Sequence, residues 1–432
     1  MSHKVLAFQN QKLSGKIRVP GDKSISHRAV MFGALAEGKT TITNFLVGED
    51  CLSTIGAFQA MGVSIQRDQH TVWIESAGFE GLNEPVEPIN LGNSGTTARL
   101  LMGILAGLPH HFTLYGDASL SKRPMDRIAD PLREMGAKID GRNNGRLLPM
   151  AVRGGGLSPI TFYPAVKSAQ VKSGVLLAGL LTDGETIVVE ETKTRDHTEN
   201  MLKAFGADLS VEGNEITVRG NQTLRGCDIE VPGDISSAAF FLVAASIAPD
   251  SEITIENVGL NPTRTGIIDV LELMGVSIMV EEKKNIGGEP IGDITVRSSE
   301  PKAAVIEGDI IPRIIDEIPI IALLATQAKG QTIIKDAEEL RFKETDRIDS
   351  VVKTLTKLGA SITPTNDGMV IEGGTSLNGG VTESFGDHRI GMMIAIASLL
   401  IDDKVELHDD ECINISYPTF FEDLHTLLNQ GQ

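Results

Sequence analysis

Along this chain, apolar residues at helical spacing run up to a glycine and then give way to β-rich stretches. Ile55, Phe58 and Met61, then Ile268, Leu271 and Met274, then Val352, Leu355 and Leu358 each mark one helix face. The glycines that follow are Gly62, Gly275 and Gly359, and Gly136 and Gly206 stand in the same setting: an apolar residue before, two residues and another apolar after. A glycine there predicts the left-handed residue that ends a helix before a strand. The spacing, roughly 70 to 85 residues, is that of a repeat. With Leu427-Leu428 ending a sixth unit, the pattern predicts six α/β units in two halves of about 210 residues, each of domain size.

A second repeat marks the halves. Val19-Pro-Gly-Asp-Lys-Ser-Ile-Ser-His-Arg28 returns as Val231-Pro-Gly-Asp-Ile-Ser-Ser-Ala-Ala-Phe240, and Met-Gly-Val-Ser-Ile follows each copy, at 61–65 and 274–278. The expected domains are therefore 21–234 and a discontinuous one, 1–20 plus 235–432. Because the scaffold recurs without its cations, Lys23, Ser24 and Arg28 read as additions for ligand chemistry.

Composition narrows the class. With 41% hydrophobic and 22% charged residues and 45 glycines, the chain fits a globular enzyme. No apolar run reaches bilayer length, which predicts no membrane span. The N-terminus lacks a secretory or transit pattern, which predicts a cytoplasmic protein. Cys51, Cys227 and Cys412 are too few and too scattered for a disulfide framework or zinc site and read as small buried residues. A formal charge of -19 argues against nucleic acid. An anionic small substrate requires cations gathered locally.

Gly33-Ala-Leu-Ala-Glu-Gly-Lys-Thr40 matches the phosphate-loop pattern letter for letter, but a helix runs into it and a β-rich stretch runs out, the reverse of what a phosphate loop needs. Cations gather instead at predicted helix starts, where free N–H groups favour an anion. Lys23 and Arg28 open the first helix. Leu91-Gly-Asn-Ser-Gly-Thr-Thr-Ala-Arg99 and Ser168-Ala-Gln-Val-Lys172 open others, and Arg123 precedes a proline in Ser121–Arg127. The second half sets acids beside cations in Asp316-Glu-Ile-Pro, Lys343-Glu-Thr-Asp-Arg347 and Gly386-Asp-His-Arg389. Four residues apart, Lys343 and Arg347 would share one helix face, with Glu344 a step around. Asp387-His388-Arg389 leads into an apolar run, which puts charge at the mouth of a buried helix.

Taken in order along nearly the full length, these segments resemble the 5-enolpyruvylshikimate 3-phosphate synthase family, and Arg-Pro-Met-Asp-Arg127, Ser-Ala-Gln-Val-Lys172 and Asn261-Pro-Thr-Arg264 look like its second class. The resemblance implies two similar domains, each of three βαβαββ units in an inside-out α/β barrel, with the active site in the cleft between them. It implies transfer of the enolpyruvyl group of phosphoenolpyruvate to the 5-hydroxyl of shikimate 3-phosphate, a step toward chorismate and the aromatic amino acids. Lys23, Ser24, Arg28, Ser168, Ala169, Gln170, Arg195, Asp316 and Lys343 would bind shikimate 3-phosphate. Lys23, Gly95, Arg123, Gln170, Arg347 and Arg389 would hold phosphoenolpyruvate, the two last clamping its carboxylate. Asp316 is the implied base and Glu344 the implied acid, with Lys23 between both substrates and His388 an orienter. No metal or other cofactor is expected, a monomer is, and glyphosate is the expected inhibitor.

The first class has a lysine in the stretch matching Cys412–Pro418, and here no lysine follows Lys404, so that lysine's role is not carried over. The nearest alternative, the enolpyruvyl transferase of UDP-N-acetylglucosamine, has Lys-Asn at the place of Lys23-Ser24 and a cysteine on the loop that reads Tyr115–Lys122 here. A noncatalytic metabolite sensor is the alternative of another class; retention of Asp316, Lys343, Glu344 and the arginines speaks against it.

Overall fold

The computed structural model of the chain describes residues 3–8 and 11–429. The chain divides into two compact units. A central unit comprises residues 21–231 and 286–289, and a discontinuous unit comprises residues 1–20, 232–285 and 290–432. The junction lies at Val231/Pro232, three residues before the 234/235 boundary expected from the sequence. Gly233 N–H bonds the Asn257 carbonyl at 2.8 Å and Asp234 N–H that of Pro20 at 2.9 Å, which ties the second Val-Pro-Gly-Asp stretch to the discontinuous unit. The inclusion of residues 286–289 in the central unit has no counterpart in the sequence reading.

Among the described residues each unit holds three small sheets, all on one plan: two parallel strands side by side, the second of which pairs antiparallel with a further strand. In the central unit Ile89–Asn90 lies parallel to His111–Tyr115, which runs antiparallel to Leu147–Arg153. In the discontinuous unit Val305–Ile306, Gln331–Ile334 and Met369–Glu372 repeat the arrangement. The alternation of the strands decides which face is covered: Phe112 and Leu114 point inward and are buried. Two sheets are completed from far along the chain, by Ser14–Ile17 beside Glu252–Gly259 and by His3–Leu6 beside Val405–His408.

Twelve helices of eight or more residues are described, six per unit. The central unit has α1 (Lys23–Leu35), α2 (Glu49–Ala60), α3 (Gly95–Gly107), α4 (Asp126–Glu134), α5 (Ala169–Gly179) and α6 (His197–Ala204). The discontinuous unit has α7 (Ile235–Ile247), α8 (Gly266–Leu273), α9 (Ile318–Gln327), α10 (Arg347–Lys357), α11 (His388–Ala397) and α12 (Phe420–Asn429). The odd-numbered helices are buried along most of their length, polar side chains near the starts of α1 and α5 included. The even-numbered ones keep a polar outer face.

Five of the even-numbered helices end in the same closure. Gly62, Gly136, Gly206, Gly275 and Gly359 all take positive φ, between 81° and 112°. After α2, Gly62 N–H bonds the Gln59 carbonyl and Val63 N–H that of Phe58; after α8, Gly275 and Val276 bond Glu272 and Leu271 in the same way. This paired closure satisfies carbonyls that the helix end leaves open. Gly33–Thr40 runs from α1 directly into the strand Ala36–Thr43, so the phosphate-loop reading stays excluded.

The buried helices α3 and α5 cross where both have glycine, and a Cβ at Gly103 would lie 2.0 Å from the Gly174 carbonyl oxygen. Gly103→Ala is expected to destabilise by roughly 1–3 kcal/mol, a fall of about 2–4 °C in Tm per kcal/mol in a body this size. Gly56→Ala, in α2 with open space around the new methyl, is expected to raise Tm slightly. Thermal unfolding of both variants checks the contrast; equal shifts would refute the close crossing.

Candidate functional site

In the central unit the predicted site residues cluster at starts of buried helices. Asp22 caps α1, its Oδ1 accepting Ile25 N–H at 2.9 Å. Lys23, in the first turn, pairs with the buried Asp50. Arg28, one turn on and buried, donates through Nε to Thr198 Oγ1 at 2.7 Å, through Nη2 to Ser173 Oγ at 3.0 Å and through Nη1 to the Ser24 carbonyl at 3.0 Å. Its fork is thus fixed before any ligand arrives.

Ser94 caps α3, accepting Thr97 N–H at 3.1 Å. A Cβ at Gly95, the first helical residue, would meet Arg123 Nη1 at 3.2 Å and Arg99 Nη1 at 3.3 Å. Arg123 is extended ahead of Pro124 and donates to Asn93 Oδ1. At the start of α5, after Ser168 and Ala169, Gln170 accepts from Arg99 Nη1 at 2.5 Å and donates to Thr96 Oγ1 at 2.9 Å. The α3 and α5 starts are therefore joined through Arg99, whose part no sequence motif signals.

Lys172 closes the Ser168–Lys172 segment but turns inward, 2.9 Å from Glu190 Oε2 and 2.8 Å from Glu199 Oε1. The other Glu190 oxygen accepts Thr194 N–H at 3.1 Å and Thr194 Oγ1–H at 2.5 Å. Lys172 thereby anchors the segment leading to the half-buried Arg195. Sequence spacing carried no sign of this, since the two glutamates lie 18 and 27 residues away.

The discontinuous unit presents a charged cluster around Arg347, which is 1% exposed. Its Nε and Nη2 bond Asp387 Oδ2 and Oδ1 at 2.8 and 3.2 Å, Nη1 bonds Asp316 Oδ1 at 3.1 Å, and Nη2 bonds Glu344 Oε2 at 2.6 Å. Burial disfavours its charge, but Asp387, Glu344 and Asp316 outweigh that and hold its proton beyond the ordinary arginine range. Lys343 Nζ lies 3.7 Å and Arg389 Nε 4.0 Å from Asp316 Oδ1. Asp387 caps α11, accepting Arg389 N–H at 2.9 Å, with His388 buried beside it.

The expected helix from Lys343 to Arg347 is corrected. Residues 343–345 form a bend, and α10 starts at Arg347, because Asp346 caps it by accepting Asp349 N–H at 3.2 Å. The bend still brings Lys343, Glu344 and Arg347 together, by a different route. A pair the sequence reading missed stands behind Asp316: fully buried Glu317 accepts from Ser236, which also accepts from Arg264, and Arg264 reaches Asp234 at 3.4 Å.

No motif in the sequence brings a histidine and carboxylates together, yet the fold gathers Asp196, His197 and Glu289, with His197 Nδ1 2.8 Å from Glu289 Oε1. Cys51 and Cys412 are buried as expected, but Cys227 is only half-buried. Burial first, with Asp228 adding, pushes the Cys227 thiol up to about 11, and burial pushes Cys412 up to about 12, so neither favours a thiolate. Among the described residues no helix is long and apolar enough to cross a membrane.

Residues 8–424 match the family model of EPSP synthase (3-phosphoshikimate 1-carboxyvinyltransferase). The chain belongs to the EPSP synthase family. A 3-phosphoshikimate 1-carboxyvinyltransferase of Geobacillus thermodenitrificans is 60% identical over 418 residues, 96% of this chain and 97% of that protein. One from Bacillus cytotoxicus is 57% identical over 96% of this chain and 98% of that protein. Among solved structures, EPSP synthase from Acinetobacter baumannii has a TM-score of 0.88 at 45% identity, covering 99% of this chain and 98% of that one. The enolpyruvyl transferase NikO from Streptomyces tendae, at 18% identity and a TM-score of 0.79 over 98% and 97%, shares the fold. The region matched to the EPSP synthase family spans every predicted site residue, from Lys23 to Arg389.

Lys172→Met leaves Glu190 and Glu199 buried without their cation and is expected to cost roughly 3–5 kcal/mol. Burial, with Lys172 opposing, holds the Glu199 carboxyl above its ordinary range. The folded chain then keeps a proton where the unfolded chain has lost it, so stability falls as pH rises through that interval. Without Lys172 the interval widens. The deficit is expected to be largest at neutral pH and to shrink toward about pH 5, as urea unfolding at both pH values would reveal.

Proposed function

We propose that the chain is a 3-phosphoshikimate 1-carboxyvinyltransferase: it transfers the enolpyruvyl group of phosphoenolpyruvate to the 5-hydroxyl of shikimate 3-phosphate and releases phosphate. The observation that carries this reading is the 60% identity, over 96% of the chain, to a relative bearing that name. The two cation sets support it. The substrates are both multiply charged anions, and their repulsion must be met by preorganised donors. The reading needs no metal, since those cations meet the charge.

In this reading Lys23, Ser24, Arg28, Ser168, Ala169, Gln170, Arg195 and Lys343 bind shikimate 3-phosphate, and Gly95 and Arg123 hold the phosphate of phosphoenolpyruvate, with Lys23 and Gln170 touching both. Arg389 meets the carboxylate directly. Arg347, already engaged by three carboxylates, orients them and adds its field. Asp316 takes the 5-hydroxyl proton as that oxygen bonds to C2 of phosphoenolpyruvate, and Glu344 protonates the methylene carbon. The methyl so formed then returns a proton to the Glu344 carboxylate as the C2–O bond to phosphate breaks, which restores the carbon–carbon double bond and releases phosphate. Second-class membership, a monomeric state, cytoplasmic location and glyphosate inhibition belong to the same proposal.

Phosphate release is expected with shikimate 3-phosphate as acceptor and not with UDP-N-acetylglucosamine; the reverse result would refute the reading. Asp316→Asn should lower kcat by about a hundredfold or more while shikimate 3-phosphate still binds, and wild-type turnover would remove Asp316 as the base.

Gly95→Ala would press a methyl against the Arg123 and Arg99 guanidinium groups. It is expected to raise the glyphosate inhibition constant about ten- to a hundredfold, more than it raises KM for the smaller phosphoenolpyruvate. Dose-response curves on both proteins decide it; equal shifts would show that Gly95 does not discriminate.

A further inference from the structure

Behind the α1 and α3 starts runs a row of polar side chains, each 0% exposed: His27 on α1, Thr54 on α2, Thr97 on α3 and the cap residue Ser94. His27 Nδ1 is 2.7 Å from Thr54 Oγ1, and Thr54 Oγ1 is 2.7 Å from Thr97 Oγ1. Thr97 Oγ1 donates to Ser94 Oγ at 2.7 Å, and Thr97 N–H donates to the same oxygen at 3.1 Å.

Each hydroxyl has one proton, which fixes the direction of the row. Thr97 has committed its proton to Ser94, so its oxygen accepts from Thr54. Thr54 has then committed its own, the alternative Asp50 carbonyl being farther at 3.4 Å, so it accepts from His27 Nδ1–H. His27 Nε2, which meets no hydrogen-bond partner among the described residues, is left as a bare lone pair rather than an orphaned donor. Burial first, then Lys23 and Arg28, hold the imidazole well below its ordinary range, with Asp22 opposing, so the ring is neutral.

We propose that this relay sets the separation between the turn bearing Lys23 and Arg28 and the cap that presents Gly95 to Arg123, with His27, Thr54 and Thr97 as positioning residues. The fold alone does not require it. At the matching place in the second Val-Pro-Gly-Asp copy, Ala239 stands for His27, and α7 forms there without an imidazole. A buried row in which each step is a directed hydrogen bond specifies one geometry where an apolar contact would tolerate several, and the His27 Nε2 lone pair is the one ring position it leaves without a partner among the described residues. Thr54 also lies one turn after Asp50, the partner of Lys23, so α2 ties both ends together. The proposal rests on the substrate roles given above for Lys23 and Gly95.

The test uses the full chain. Nitrogen NMR of labelled histidine should show His27 neutral and protonated on Nδ1, and Thr54→Val should abolish that preference. Thr97→Val keeps the side-chain shape and removes the hydroxyl; KM for phosphoenolpyruvate should rise between about ten- and a hundredfold, with kcat falling less and shikimate 3-phosphate affinity changing less than about twofold. Thr97→Ser should restore the wild-type constants. Unchanged KM, failure of serine to rescue, or an Nε2–H or charged His27 would overturn the proposal. Should Thr97→Val not fold, Thr54→Val read by the same constants takes its place. If Lys23→Met left turnover intact, the substrate roles would fail while the tautomer measurement still judged the relay.

Discussion

A guanidinium group cut off from water governs the discontinuous unit. Taking such a charge out of solvent costs several kcal/mol unless it is closely paired, and Arg347 is paired through all three of its nitrogens. The carboxylates come from three separate segments: the residue that caps α11, the bend before α10 and the turn ahead of α9. One planar group therefore registers three helix starts against one another. Its planar fork suits this better than an ammonium would, because directions as well as distances are imposed. Three carboxylates around one cation leave negative charge in excess, and Lys343 and Arg389 stand toward Asp316 at longer range, where the excess is felt.

The two copies of Val-Pro-Gly-Asp show one scaffold put to two uses. In both, the aspartate caps a buried helix, Asp22 holding Ile25 N–H and Asp234 holding Ser236 N–H. In the central unit the next residues carry cations and remain partly open. In the discontinuous unit they are apolar or small, and the charge is drawn inward to Arg264 and the fully buried Glu317. That inner network braces Ile318–Gln327, the helix that follows Asp316, so the second copy fixes the start of that helix from within.

Much of this was legible in the chain, and the exceptions share a cause. Helix ends at Gly62 or Gly275 were readable because the closure involves six consecutive residues and one backbone conformation. The cap positions before Gly95, Ala169 and His388 were readable for the same reason: a cap is local. What escaped was pairing across distance. Lys172 reads as a surface lysine until Glu190 and Glu199 are folded against it, and Glu289 joins His197 from 92 residues away. The Lys343–Arg347 spacing misled because a helical interval was read where Asp346 had already fixed the start of the helix. The four hydroxyl and imidazole groups behind α1 were invisible because threonine and serine between apolar residues look like any helix interior.

The pairing of His3–Leu6 with Val405–His408 has a consequence in time. Among the described residues the first strand is matched to the last. At roughly 5–20 residues per second, the chain between them takes on the order of 20 to 80 seconds to synthesise. Every residue of the central unit is made within that interval, so it can assemble while Val5 and Leu6 still wait without a sheet. The strand is short, only four residues, and Lys4 interrupts its apolar character, both of which limit pairing with other chains. A unit whose strands pair across the whole intervening sequence thus imposes an order of completion on the growing chain, the central unit first and the discontinuous one last.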